Sequence, residues 1–198
     1  MRRVYPVIFF LYMFMFLLGG CSIEGDSSPI PSNKQSVLIN DEPVSEISKE
    51  VTEGDFVYRL VTEKADYAKG DEIIIYAELE YIGDQSSIEI YHAMSPFSFP
   101  IKELTRGYDI GYMMNQPLLT TELKKNEPLR EYYAGGGGYG SQDKKEYIAF
   151  MKEFNENGFP TGEYVVYGMT DFYIIDDATG QQEVDYKLNA EISFEVKE

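Results

Sequence analysis

From residue 56 onward, apolar and polar residues alternate in short runs separated by turn-forming residues. The run FVYRLVTE (56–63) places Phe56, Tyr58 and Leu60 on one face. EIIIYAELEYIG (72–83) groups Ile73, Ile75, Ala77, Leu79 and Tyr81, with Glu78 and Glu80 opposite. A period of two marks a half-buried strand, whose successive side chains point to opposite faces. ADYAKGD between these runs reads as a turn, and SIEIYHA (87–93) and FSFPI (97–101) read as two further strands. EYVVYGMTDFYII (163–175) is apolar on both faces, as suits a central strand, and the turn DDATGQQ follows it. In VDYKLNAEISFEVK (184–197), Val184, Tyr186, Leu188, Ala190, Ile192, Phe194 and Val196 alternate with polar residues without a break. Several short strands with turns between them predict a sandwich or a barrel.

One segment departs from this rhythm. In DKKEYIAFMKEFNENG (143–158), Tyr147, Ile148, Met151 and Phe154 recur at helical spacing. Asp143 followed by Glu146 has the form of a capping box, and Gly158 is placed as a stop. The chain is therefore expected to be mainly β, an antiparallel β-sandwich with one short inserted helix at about 143–157.

Ahead of residue 55 no such period is sustained. SIEGDSSPIPSNKQSVLINDEPVSEISKEVTEG (22–54) is rich in Ser, Pro, Asn, Asp and Glu. A stretch of that kind buries too little apolar surface to offset its ordering entropy, so it reads as a disordered tether. Before it, Arg2 and Arg3 precede the uncharged run VYPVIFFLYMFMFLL (4–18). That run falls short of the ~20 residues a membrane-crossing helix needs, and it ends on small residues, as a signal peptide does.

The four residues Leu18-Gly19-Gly20-Cys21 resemble the lipobox of bacterial lipoproteins. The resemblance implies diacylglycerol on the Cys21 sulfur and cleavage after Gly20. Residues 1–20 are then a signal peptide, 21–54 the lipidated cysteine and tether, and 55–198 a β-sandwich domain. Two acyl chains anchor stably where one holds only reversibly. An ordinary signal peptide with an incidental cysteine and an uncleaved signal anchor are the alternatives. Cys21 is the sole cysteine and stands at the one position the motif requires, which favours a lipid anchor on the extracytoplasmic face of a Gram-positive cell membrane.

Two further places carry a resemblance. YAKGDEIIIYAELEYIGD (67–84) has the turn–Gly–strand–turn order of Ig-like bacterial domains. FPTGEYVVYG (159–168) is similar to their apolar-x-x-Gly-x-Tyr corner, in which Gly162 turns the chain and Tyr164 enters a core strand. TTELKKNEPLREYY (120–133) is similar to the strand–turn–strand that precedes that corner. Together they resemble the Ig-like domain of the intracellular proteinase inhibitor family of bacilli, across most of residues 56–196. The resemblance implies an Ig-like fold. The insertion at 130–158 and the export signal depart from the family's pattern, and no inhibitory loop carries over residue by residue.

Composition and charge narrow the functional classes. The chain has 198 residues, 43% hydrophobic and 26% charged, enough for a substantial core. Its formal net charge is −17, and loss of the leader removes Arg2 and Arg3 but no acid. Such a surface repels nucleic acid and anionic lipid at long range. One cysteine allows no internal disulfide and no thiolate zinc cluster. With no tryptophan, 17 Tyr and 12 Phe supply most of the large side chains.

Each candidate chemistry has a plainer competitor. AGGGGYGS (134–141) satisfies G-x-G-x-x-G through Gly135, Gly137 and Gly140, but a dinucleotide site also needs a βαβ unit, and Ser141 stands where a P-loop has lysine. A flexible glycine link is the simpler reading. His92, the one histidine, lies at an expected strand end with no visible partner for general-base work. Glu78 and Glu80 are spaced as a carboxylate pair, but alternating acids on a strand are usually solvated. Asp176, Asp177, Glu183 and Asp185 surround a turn and suggest weak calcium binding, without EF-hand spacing. Tyr108, Tyr112, Met113, Met114, Tyr132, Tyr133 and Tyr139 fall in the least regular part, and each is either core or an adaptable contact surface.

The sequence is thus read as a membrane-anchored, non-enzymatic binding or accessory module that engages an envelope protein, with no cofactor and no metal. Its binding face is sought within residues 105–141, where loops on a rigid scaffold carry function. A protease-inhibitor-like module and an enzyme acting on envelope material are the alternatives.

Overall fold

The computed structural model describes residues 46–175 and 182–198. The leader, Cys21, the tether up to residue 45 and the acidic turn at 176–181 lie outside the described residues. In chain order the elements are β1 (Ser48–Glu53), β2 (Phe56–Thr62), β3 (Asp66–Ala68), β4 (Ile75–Tyr81), β5 (Ser87–Ser98), β6 (Ile101–Glu103), β7 (Tyr108–Ile110), β8 (Leu119–Lys124), β9 (Leu129–Tyr132), α1 (Lys145–Asn157), β10 (Gly162–Ile175), β11 (Glu183–Tyr186) and β12 (Asn189–Lys197).

They form two sheets, as the alternation predicts, with one short helix. The first has the order β1-β2-β4-β9. Its register sets Tyr58 opposite Leu79 and Leu60 opposite Ala77, so the apolar rows of β2 and β4 coincide on one buried face. The second sheet has the order β3-β12-β10-β5-β8, with β11 and β6 on β10 and β7 on β6. The named strands pair antiparallel except β3, which runs parallel to β12. β10 is the central strand expected from its two apolar faces. Its first half pairs with β12 and β6, and its second half with β11 and β5.

Aromatic rings fill much of the space between the sheets. Tyr164 stacks on Phe194 at 5.2 Å, and Phe159 stands edge-on to both, at 5.1 and 5.3 Å. The Tyr164 hydroxyl donates to the Pro160 carbonyl at 2.6 Å, the back-bond of a tyrosine corner. Gly162 makes the turn into β10 at φ +154°, and a Cβ there would lie 2.5 Å from Glu103 Oε1.

Four expectations need correction. The tether does not run to residue 54, because Ser48–Glu53 pair with Phe56–Val61 of β2 as β1. Val51 packs against the core from that strand, a single apolar contact in a run too polar to announce itself. The runs at 87–93 and 97–101 do not form one strand each; β5 covers the first run, a bulge and then Phe97 and Ser98, while Ile101 opens β6. The last segment is divided into β11 and β12, yet its register is continuous: Phe172 faces Tyr186 and Met169 faces Asn189. Between those pairs, the Leu188 N–H turns to the Thr170 hydroxyl at 3.0 Å, while the Thr170 N–H donates to the Leu188 carbonyl at 2.8 Å.

The helix start is the fourth. α1 begins after Lys144, whose side chain makes no cap, and Asp143 instead accepts the Gly140 N–H at 2.6 Å. The stop is as expected: Gly158, at φ +82°, donates its N–H to the Phe154 carbonyl. Phe150 joins Met151 and Phe154 on the buried face of the helix.

Candidate functional site

The site grows from the bulge in β5. Between the pairs Thr170–Phe97 and Phe172–His92, β10 holds one residue, Asp171, and β5 holds four, residues 93–96. Such an excess bends and twists the strand, a device that often borders functional sites. Pro96 suits such a place, since it has no N–H to give a ladder.

Ser95 fixes the bulge. Its hydroxyl accepts the Phe97 N–H at 2.9 Å and donates to Glu131 Oε2 at 2.7 Å, tying the bulge to β9 of the other sheet. The next residue back, Met94, is 50% exposed, and its N–H donates to the Asn115 carbonyl at 3.3 Å. That bond holds the irregular segment 111–118 alongside the bulge. Tyr112 anchors the same segment, with its ring edge-on to Phe99 at 5.6 Å and 6.2 Å from Tyr133.

A cleft of about 470 Å³ lies between these parts. The bulge supplies Ser95 and Pro96, the irregular segment Met114 and Leu118, and β10 Asp171 and Tyr173. In its lining Leu118 is 69% exposed, a high value for a large apolar side chain. Tyr91 and Tyr173, a cross-strand pair, stack at 5.0 Å with their planes 12° apart. The cleft can therefore offer flexible thioether and leucine contacts, three tyrosine rings and two carboxylates, Asp171 and Asp185. That is the chemistry of a surface that holds a ligand by contact area and a few hydrogen bonds.

His92 forms part of the cleft floor and is only 8% exposed. It lies within β5 and is not at a strand end. Nδ1 is 2.8 Å from the Ala93 carbonyl, so it carries the proton, and Nε2 accepts from the Thr121 hydroxyl at 2.8 Å. Both ring nitrogens are thus engaged, and the Nε2 bond ties β5 to β8.

Glu78 is not the solvated side chain that the alternation predicts. It is 5% exposed and sits between two arginines. Arg59 Nη1 reaches Glu78 Oε2 at 2.6 Å, Arg130 Nε donates to Oε1 at 2.8 Å and Arg130 Nη2 closes on the same oxygen. Arg59 also binds Glu50 Oε2 through Nε and Nη2, and Arg130 lies over the Tyr76 ring at 4.3 Å. Burial pushes the Glu78 carboxyl pKa up, but the hydrogen bonds from Arg130 and Arg59 outweigh it and leave the group below its ordinary range. This is a ladder of charges across four strands.

The glycine run is not a free link. Gly137 donates its N–H to Asn155 Oδ1 at 3.2 Å and accepts from Asn155 Nδ2 at 3.1 Å, which pins the run to α1. A Cβ on Gly137 would lie 2.3 Å from Met151 Cε, so a larger residue there would have to displace that buried methyl. Among the other aromatic candidates, Tyr108, Tyr112 and Tyr133 pack against the core, whereas Met113, Tyr132 and Tyr139 are exposed. Burial, above all, raises the Tyr133 hydroxyl well above its usual pKa.

Of the acidic turn, Glu183 and Asp185 are described, both exposed on β11. Among the described residues no group of three or more His, Cys, Asp or Glu is placed to hold a metal ion. The segment 105–141 contributes Tyr112, Met114 and Leu118 to the cleft, but β5 and β10 supply much of the rest. Sequence reasoning missed that half. The proline of YHAMSPFSF, set inside an apolar run, is the signal that marks the bulge. No protein-family model matches the chain, and a search of the curated proteins finds no relative.

Proposed function

We propose that the chain is a lipoprotein anchored through Cys21 to the extracytoplasmic face of the cell membrane, and that its β-sandwich is a non-enzymatic module binding another envelope protein. The observation that carries the binding reading is the exposure of Leu118 in a cleft that Met114 also lines, with exposed Met94 next to it on the bulge, on a backbone tied down by Ser95 and Tyr112. Large apolar side chains held out on a fixed frame lose little entropy when a partner covers them. Exposed apolar surface of that kind marks contact sites more often than solvent-facing accident. The anchor reading rests on the lipobox-like Leu18-Gly19-Gly20-Cys21 and the charged, apolar leader before it. The Tyr164–Pro160 corner supports the likeness to Ig-like domains, which concerns fold and not activity.

The test places a photo-crosslinking residue at position 94 or 118 in intact cells, with and without Cys21→Ala. Capture of one discrete envelope protein from these positions, lost when the chain leaves the membrane fraction, supports the reading. A captured protease would move the assignment to an inhibitor-like module. Equal capture from a position on α1 would show non-specific adhesion and remove the cleft from consideration.

A further inference from the structure

The larger sheet pairs some of its outward carboxylates, Asp171 with Lys187 at 3.5 Å among them, but leaves one group of them without cations. On the four-stranded sheet, Glu50 and Glu78 are met by Arg59 and Arg130. On the outer face of the other sheet, Asp185 lies opposite Tyr173, Tyr173 opposite Tyr91, and Tyr91 opposite Thr120. Two residues along each strand, Glu183 lies opposite Ile175, and Glu89 directly opposite Glu122. Like charges opposed across a strand pair destabilise a sheet. Glu89 accepts a hydrogen bond from the Tyr91 hydroxyl at 2.9 Å, and Glu122 one from the Ser87 hydroxyl at 2.8 Å. Among the described residues no ion pair reaches Glu89, Glu122, Glu183 or Asp185.

Carboxylates alone would be a solvated face. Here they flank an apolar platform made by the stacked Tyr91–Tyr173 pair and the half-buried Ile175. The platform is also shaped: the 470 Å³ cleft and a second of about 550 Å³, lined by Ser87, Glu89, Glu122 and Ile175, meet at Tyr91. Side chains two apart on a strand stand about 7 Å apart, which is also the spacing of alternate side chains on an extended peptide. Lysine or arginine stems can lie along tyrosine rings while their charged heads reach carboxylates beyond.

We infer that this face docks an extended, basic polypeptide segment. The inference rests on the reading of the domain as a protein-binding module and names the chemistry of its partner. The charge of the face is complementary to such a segment, and the aromatic row supplies contact area that a free metal ion or an inorganic cation would not use.

The test titrates the full chain, in a non-ionic detergent, with a fluorescein-labelled peptide of alternating Lys and Thr. Because the whole protein is acidic, the decisive comparison is between two variants of equal charge. E89Q/E122Q/E183Q neutralises the face, and E53Q/E72Q/E156Q neutralises exposed carboxylates elsewhere. The expected result is saturable binding, weakened by about tenfold or more in the first triple and by less than about twofold in the second. Equal losses in the two triples, or binding that never saturates, overturn the inference, since both mean diffuse attraction to an acidic protein. Crosslinking from position 118 on cells separates this outcome from failure of the module reading. A discrete captured partner that E89Q/E122Q/E183Q leaves unchanged keeps the module and sinks the basic segment. No capture together with unsaturable peptide binding sinks both.

Discussion

Arg130 approaches Glu78 from the edge of the four-stranded sheet and closes on the same carboxylate that Arg59 holds from the other side. One buried anion thereby ties β2, β4 and β9 together, with β1 joined through Glu50. Glu78→Gln keeps the shape but leaves two arginines facing a neutral amide, at a cost of about 1.5–3 kcal/mol. The pH dependence follows from the direction of the shift. The folded-state pKa lies below the unfolded value, so the stabilisation is present above the unfolded pKa and is lost as pH falls through the folded one. Urea unfolding of the parent and Glu78→Gln at a series of pH values checks this. The difference between them should be constant near neutrality and shrink in acid, and a difference independent of pH would refute it.

Tyr58 presents the opposite case. Its hydroxyl is fully buried between the sheets and has no hydrogen-bond partner among the described residues. Burial raises its pKa far above the usual value, so the group stays neutral. A buried hydroxyl without a partner carries its desolvation cost uncompensated. Tyr58→Phe is expected to raise stability by about 1 kcal/mol, read as a higher melting temperature. Gly168 explains how the hydroxyl fits, for a Cβ there would lie 2.5 Å from it and 2.7 Å from Leu60 Cδ1. Gly168→Ala should cost about 1–3 kcal/mol through overpacking. The cost should fall when the hydroxyl is gone, so a cycle of the single and double variants that proved additive would contradict the contact.

The tyrosine corner gives a third outcome. Tyr164→Phe leaves its ring stacked on Phe194 and removes only the bond to the Pro160 carbonyl. A loss of about 1–2 kcal/mol is expected from the carbonyl left unpaired. Unchanged denaturant midpoints would show that the packing of Phe159 alone holds the corner.

Much of the fold was legible because burial imposes a period. β2, β4 and β12 bury every second residue, and only one register hides those rows together. Three features were not legible for three separate reasons. β1 is an edge strand, exposed along most of its length, so SKEVTE carries almost no apolar signal. Glu78 occupies the polar phase of its strand, and only the neighbouring strands reveal that Arg59 and Arg130 cover it. Pro96 marks the place of the β5 bulge, but its four-against-one extent depends on which residues of β10 face it, a long-range pairing that local pattern does not encode. The candidate cleft was half legible for the same reason. The irregular stretch around Tyr112 and Met114 was marked by composition, whereas Ser95 acts through Glu131, thirty-six positions away.

That last contact leads to a prediction joining fold to function. Ser95 supplies one bond within the bulge and one across to β9, so Ser95→Ala frees the bulge without removing any exposed apolar side chain. Loss of these bonds should cost about 1–2 kcal/mol. If the cleft binds because its frame is fixed, partner capture from position 118 should fall in Ser95→Ala although Met94 and Leu118 remain. Met94→Ala should do the reverse, reducing capture while leaving stability nearly unchanged, since the side chain is half exposed. Hydrogen exchange of the β5 amides, measured beside the capture yield, tells the two effects apart. Faster exchange with undiminished capture in Ser95→Ala would mean that the partner does not depend on the bulge, and that the exposed methionine and leucine suffice without a rigid frame.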